Sequence, residues 1–172
     1  GMDSSLLLNM LNVIWDRDVD IDSVLIVRNG YIVLDAYSYP FAAKFKRNIY
    51  SCSKSVTSAL VGIAIDKGYI KDVNQPVLDF FPRYTAANLN DAKKAMTLEH
   101  LLTMTSGLDL DENGPIMDPI LQSGDWLRRA YARPLIDKPG ETFCYCSFLP
   151  HTMSCILTEA SGKSLLEFAQ EH

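Results

Sequence analysis

The sequence predicts an α+β fold: a mostly helical fragment with an N-terminal β-hairpin taken from an antiparallel sheet. Three observations lead there. The stretch "SVLIVRNGYIVLDAYSY" (residues 23–39) sets two β-rich runs around Asn29-Gly30, the dipeptide suited to a two-residue type I′ turn. The rest of the chain reads chiefly as helices punctuated by Gly, Pro and Asp. The final "KSLLEFAQEH" opens a helix with the capping pair Ser164 and Glu167, and the chain stops eight residues past that cap, which is soon for a natural domain to end. A single partial domain over 1–172 is therefore expected, with the remaining sheet strands missing.

Each element has its own signal. In "SSLLLNMLNVIWDRD" the residues Leu7, Met10, Leu11 and Ile14 fall on one helical stripe. The first hairpin strand is apolar on both faces, Leu25 and Val27 on one, Val24 and Ile26 on the other, which predicts cover on both sides. Ser53 to about Lys67 reads as a helix closed by Gly68 and, with small or apolar residues nearly all round, buried on every side. "DVNQPVLDFFP" is a short helix after a turn, and "TLEHLLTMTSG" a helix with Thr97 as N-cap and Gly107 beyond its end. "PILQSGDWLRRAYA" reads as a surface helix, "DKPGETFCYCS" as a Pro139-Gly140 turn followed by extended chain, and "PHTMSCILTEASG" as a further helix.

Composition removes several functions. The 172 residues are 48% hydrophobic and 22% charged, enough for a sizeable core. Sixteen Lys+Arg against 21 Asp+Glu give a net charge of -5. The basic residues are scattered, and without a basic stripe nucleic acid is not an expected partner. The longest apolar run, "ALVGIAI", is far below the roughly 20 residues of a membrane span. Cys52, Cys144, Cys146 and Cys155 match no disulfide framework. Cys144 and Cys146 with His151 resemble half a zinc site; His100 and His172 stand apart and offer no other half. Neither a metal nor another cofactor is expected. No signal peptide opens the chain, and Gly1 precedes Met2.

The chemistry concentrates in "IYSCSKSVTSALVGIAIDKG" (49–68). Ser51 lies three residues before Lys54 and Ser58 four after it, so both share its helix face, whereas Ser53 and Ser55 do not. Helical side chains lean toward the N-terminus, which sends Lys54 back to Ser51. Serine needs a base to act as a nucleophile, and a buried lysine loses its proton more readily. On this pattern alone two readings stand: an activated serine, or a plain helix N-cap beside a lysine that snorkels to solvent.

Three segments together resemble the serine β-lactamase and D-Ala-D-Ala-peptidase superfamily, especially its class C-like branch. "YSCSKSVTSALVGIAIDKGYI" is similar to the nucleophile segment, "TLEHLLTMTSGL" to a helix-loop signature of that branch, and "PGETFCYCS…LTEASG" to the second active-site segment. The resemblance implies a β-lactamase/transpeptidase-like fold, Ser51 as acyl-accepting nucleophile, Lys54 as its proton partner and Tyr145 as second base. It places Ser147 in a substrate-binding slot where the branch usually carries Asn. A hydroxyl has one donor where an amide has two, so recognition of a substrate amide carbonyl is put in question. The family's Lys/His-Thr/Ser-Gly triplet is not found, which implies that part of the sheet and of the site is absent.

The function so implied is amide or ester hydrolysis through an acyl-enzyme on a small-molecule or peptide substrate. The alternative is a non-catalytic binding or sensing module, or a remnant; Ser147 and the missing triplet favour it for this polypeptide, while Ser51, Lys54 and Tyr145 favour the enzyme for its parent. Self-association through an exposed hairpin edge is expected. The resemblance suggests the cell envelope, and the cytoplasm stays open.

Overall fold

The hairpin forms with the turn that Asn29-Gly30 dictates. Strand β1 (Ser23–Arg28) pairs antiparallel with β2 (Tyr31–Tyr37), and Asn29 and Gly30 both take positive φ, 48° and 80°, as a type I′ turn requires. The register slips between Ile26 and Val27, where Val33 is the extra residue of a bulge. This structure is a computed structural model in which residues 2–85, 88–115, 120 and 122–172 are described. It divides into two compact units, 1–49 and 50–172.

In the first unit, helix α1 (Ser4–Asp16) is capped by Asp3, whose carboxylate accepts from the Ser5 N–H. Its stripe of Leu7, Met10, Leu11 and Ile14 is half-buried. Beyond the hairpin, Arg47 pairs with Asp22 and lies over the Phe41 ring at 3.7 Å. The expectation that β1 is covered on both faces is not met. Leu25 and Val27 are 58% and 55% exposed, and on β2 Tyr31 and Ile32 are exposed too. The sheet has two strands among the described residues, so one apolar face has no layer packed on it.

The second unit holds the core. Helix α2 (Cys52–Asp66) buries Thr57, Leu60, Val61 and Ala64, a one-sided stripe at i, i+3, i+4 and i+7. The expectation of burial on every side is thereby corrected: Ser55, Ser58, Ala59 and Gly62 face outward. Small residues add little apolar area whichever way they point, so their presence does not report which face is covered. The stripe packs against Phe148, Leu149, Met153, Ile156 and Leu157 of a later helix. Full burial of one such aliphatic side chain contributes roughly 1.5–3 kcal/mol.

The connecting segment is built from short pieces. Residues Val77–Phe80 form a 3-10 turn rather than an α-helix. Helix α3 (Asp91–Lys94), unforeseen from the sequence, starts at Asn90, whose side chain accepts from the Lys93 N–H. Helix α4 (Leu98–Leu102) starts at Thr97 as expected, and the ring of His100 accepts from the Thr97 N–H through Nδ1 at 3.1 Å. Helix α5 (Trp126–Tyr131) is shorter than the predicted surface helix, because Asp125 caps it at the Arg128 N–H. It also buries Ala130 and Tyr131. Pro119 and Leu121 of that prediction lie outside the described residues. Lys93, 1% exposed, donates to the Tyr131 and Arg133 carbonyls at 2.8 and 2.6 Å. It thereby satisfies carbonyls at the α5 C-terminal end, and burial pushes its pKa down.

Helix α6 (Phe148–Ser161) begins two residues before the predicted Pro150, and α7 (Leu165–Glu171) follows with the foreseen capping box. No helix among the described residues is long and apolar enough to cross a membrane.

One loop ties these pieces into the frame of the site. After α4 the chain reverses at Met104 (φ 56°) and Gly107 (φ 71°). The Gly107 carbonyl accepts from the Ile136 and Asp137 N–H groups at 2.9 and 3.2 Å. A Cβ on Gly107 would meet the Asp137 carbonyl oxygen at 2.3 Å, a contact with backbone that cannot give way.

Gly107→Ala is expected to destabilise the second unit by more than the roughly 1–2 kcal/mol of left-handed backbone alone, read as a lower denaturation midpoint; an unchanged midpoint would contradict the packing described. The open face of the hairpin leads to a separate expectation, self-association of the chain in light scattering, weakened by Val27→Lys with Ile32→Lys. A monomer at high protein concentration would count against it.

Candidate active site

The site begins at the start of α2. Tyr50 takes a positive φ of 44°, a conformation that costs a non-glycine residue roughly 1–2 kcal/mol. Its carbonyl accepts from the Ser53 N–H at 3.1 Å and from Ser53 Oγ at 2.6 Å. Ser53 is thus spent on holding this turn. Ser51 occupies the N-cap position, yet its side chain makes no capping bond. The plain N-cap reading of Ser51 therefore fails. Its Oγ accepts instead from Lys54 Nζ at 2.8 Å, along the backward lean expected of an i, i+3 pair. Lys54 is half-buried rather than sunk in apolar surroundings; the helix has one buried stripe and Lys54 lies beside it.

The second element is the extended segment after the Pro139-Gly140 turn. The Gly140 N–H donates to the Thr105 carbonyl at 2.8 Å and the Cys144 N–H to the Met104 carbonyl at 2.9 Å, so the reversal after α4 sets its path. Side chains then alternate: Cys146 is fully buried, while Tyr145 stays 40% exposed and Ser147 half-buried. Burial pushes the Cys146 thiol up to about 11. Tyr145 points its hydroxyl to Ser51 Oγ at 2.7 Å, and Lys54 Nζ lies 5.1 Å from its ring centroid. The hydrogen bond to Ser51, then the contact with the Lys54 ammonium, hold the Tyr145 phenol below its ordinary value; the Glu112 charge opposes them. Ser51, Lys54 and Tyr145 are brought together in one cluster.

Ser147 is not free beside them. Its backbone N–H donates to Glu112 Oε2 at 2.8 Å, and its Oγ donates to the same carboxylate at 2.9 and 3.0 Å. Helix α6 has no acidic residue in its own first turn and no side-chain cap. Glu112 supplies both from another segment, where a negative charge is favoured by the helix dipole. Glu112 escaped the sequence reading. The uncapped start of α6 is a trace of it, but nothing in "DLDENGP" names the partner.

The remaining candidates assemble nothing comparable. His151 Nε2 lies 3.7 Å from Cys155 Sγ, and its ring packs on Trp126. Burial pushes the His151 pKa down and the Cys155 pKa up. Among the described residues no group of three or more His, Cys, Asp or Glu could hold a metal ion.

A family model described as Beta-lactamase matches residues 16–172. Protein flp of Staphylococcus aureus (strain MW2) is 25% identical over 160 residues, which are 87% of this chain and 32% of that protein. Among solved structures, a β-lactamase-like protein from Bacteroides dorei DSM 17855 superposes with a TM-score of 0.76 at 20% identity, over 99% of this chain and 50% of its own. The octameric penicillin-binding protein homologue from Pyrococcus abyssi gives 0.67 at 22% identity, over 99% and 42%. EstCE1, a hydrolase with promiscuous acyltransferase activity, gives 0.73 at 20%, over 96% and 50%. The fold is thus β-lactamase/transpeptidase-like, and the chain spans from 32% to 50% of these relatives' lengths.

The geometry sets the titration of Tyr145. Its phenol is expected to ionise below the usual ~10, and Lys54→Met is expected to raise it, because a cationic neighbour of the phenolate is lost. Ultraviolet difference titration against Tyr145→Phe isolates this one group. A Tyr145 signal that Lys54→Met leaves in place would overturn the assignment.

Proposed function

Since the chain belongs to the β-lactamase family, we propose that it carries the nucleophile part of a serine hydrolase that cleaves an ester or amide through an acyl-enzyme on Ser51. The observation that carries this reading is the convergence of two proton-handling groups, Lys54 and Tyr145, on a single serine oxygen at 2.8 and 2.7 Å. A serine serving only as a helix cap has no use for either.

In this reading the Tyr145 oxygen, in the anionic form that the Lys54 ammonium favours, takes the Ser51 proton as Oγ attacks the substrate carbonyl carbon. The Oγ–C bond forms, and the carbonyl electrons move onto oxygen. They return as the bond to the leaving alcohol or amine breaks, and Tyr145 gives that leaving group the proton. Water repeats the sequence on the ester at Ser51 and releases the acid. The N-terminus of α2 favours the developing negative charge. The part of the relatives' fold beyond these residues is proposed to supply the second oxyanion donor. Neighbours named as a penicillin-binding protein homologue and as a hydrolase with acyltransferase activity agree with acyl transfer in general and leave ester and amide both open.

Intact-mass spectrometry after treatment of the full-length protein with an activated ester or a serine-directed phosphonate tests the reading. One adduct is expected, mapped to Ser51 and abolished by Ser51→Ala. Tyr145→Phe, which removes the base, is expected to slow labelling about 100- to 10,000-fold, and Lys54→Ala to slow it as well, while Ser58→Ala changes it little. An adduct on Ser53 or Ser58 would mean another nucleophile. No adduct with several probes would favour the non-catalytic binding module.

A further inference from the structure

The pairing of Glu112 with Ser147 bears on what the site accepts. Ser147 brings two protons to this corner, the backbone N–H and the hydroxyl, and both are donated to the Glu112 carboxylate. A serine hydroxyl has one proton and two lone pairs. With the proton spent, Oγ can only accept. The carboxylate accepts only, and two donors leave part of its capacity unused. Ser147 is two residues from Tyr145, whose hydroxyl reaches Ser51 Oγ at 2.7 Å; Cys146 between them turns into the core, and the Glu112 charge acts against ionisation of the Tyr145 phenol. An amide side chain in the Ser147 position would present N–H donors to a substrate carbonyl. Here the polarity is reversed.

We propose that Glu112, through Ser147, is a specificity-determining residue: it makes the corner next to Tyr145 an anionic, acceptor-only surface that favours acyl groups carrying a hydrogen-bond donor, above all an ammonium. The same surface disfavours acyl groups that present an amide carbonyl or a carboxylate there. An ammonium finds a full negative charge in partly desolvated surroundings, where charge-assisted bonds are the strong ones. A carbonyl oxygen meets other oxygens with no proton between them, and a desolvated acceptor left unpaired is costly.

The inference rests on the acyl-enzyme reading, and the test separates the two. Full-length protein is acylated with three p-nitrophenyl esters of matched length whose acyl chains are plain alkyl, ω-ammonium or acetamido. Rates are compared as ratios within each variant, so a general loss of activity cancels. In the wild type the ammonium ester is expected to lead the plain ester by on the order of tenfold, and the acetamido ester to trail it. Glu112→Gln removes the charge but keeps an acceptor oxygen for the Ser147 N–H; the ammonium preference is expected to vanish. Ser147→Asn restores amide donors and is expected to raise the acetamido ester relative to the plain one, a gain that misfolding cannot mimic. A preference for ammonium that survives Glu112→Gln, equal rates for all three wild-type reactions, or a wild-type preference for the acetamido ester would overturn the assignment and leave Ser51 as nucleophile. Failure of the plain ester to label Ser51 would overturn the acyl-enzyme reading and this inference with it.

Discussion

The packing of α2 against α6 is the constraint on which the candidate site depends. Both helices begin at the site: Ser51 stands at the N-cap position of one and Ser147 at that of the other. Their buried stripes, Leu60, Val61 and Ala64 against Met153, Ile156 and Leu157, fix how the two starts face each other. Interiors are packed too densely to let such stripes slide. The 2.7 Å contact between Tyr145 and Ser51, 94 residues apart in sequence, is the outcome at the far end of that interface.

Two helix N-termini at one place raise an electrostatic problem, since each presents unpaired N–H groups and a partial positive charge. Lys54 adds to that charge. The structure answers the two ends differently. At α6 the Glu112 carboxylate accepts from Ser147 and completes the cap. At α2 the Ser51 side chain does not cap, and its oxygen accepts hydrogen bonds from Lys54 and Tyr145 instead. One end is met by a carboxylate. The other keeps its positive field, which an oxygen gaining negative charge would use.

Among the described residues of the second unit, the non-glycine residues at positive φ lie in the segments that aim these side chains. Tyr50, immediately before Ser51, and Met104, whose carbonyl receives the Cys144 N–H, are both non-glycine residues at positive φ. Such residues persist where the surroundings over-determine them. Here Ser53 holds Tyr50 through two bonds to its carbonyl, and the reversal at Met104 is anchored by the Gly107 loop to residues 136 and 137. The free energy spent on these turns is recovered from the core beneath them.

Much of this was legible in the sequence because it is local. The Asn29-Gly30 turn, the Ser164-Glu167 capping box and the reach of Lys54 to Ser51 depend on backbone geometry over two to four residues, and all three form as read. Ser51, Lys54 and Tyr145 could be grouped ahead of the structure only through resemblance, since nothing in residues 49–68 points to 145. Burial was misjudged where composition is ambiguous. β1 is apolar on both faces yet open on one, and α2 looks apolar all round yet buries one stripe, because small residues do not declare their side and cover comes from other parts of a fold. Glu112 and Lys93 were invisible for a related reason. A carboxylate that caps a helix 35 residues away, and a buried lysine bound to carbonyls 38 and 40 residues on, leave no periodic trace. The sequence by itself determined which turns and helix starts form, since those are settled among near neighbours. Tertiary structure alone decided which polar groups meet across the core, since that depends on how distant helices pack.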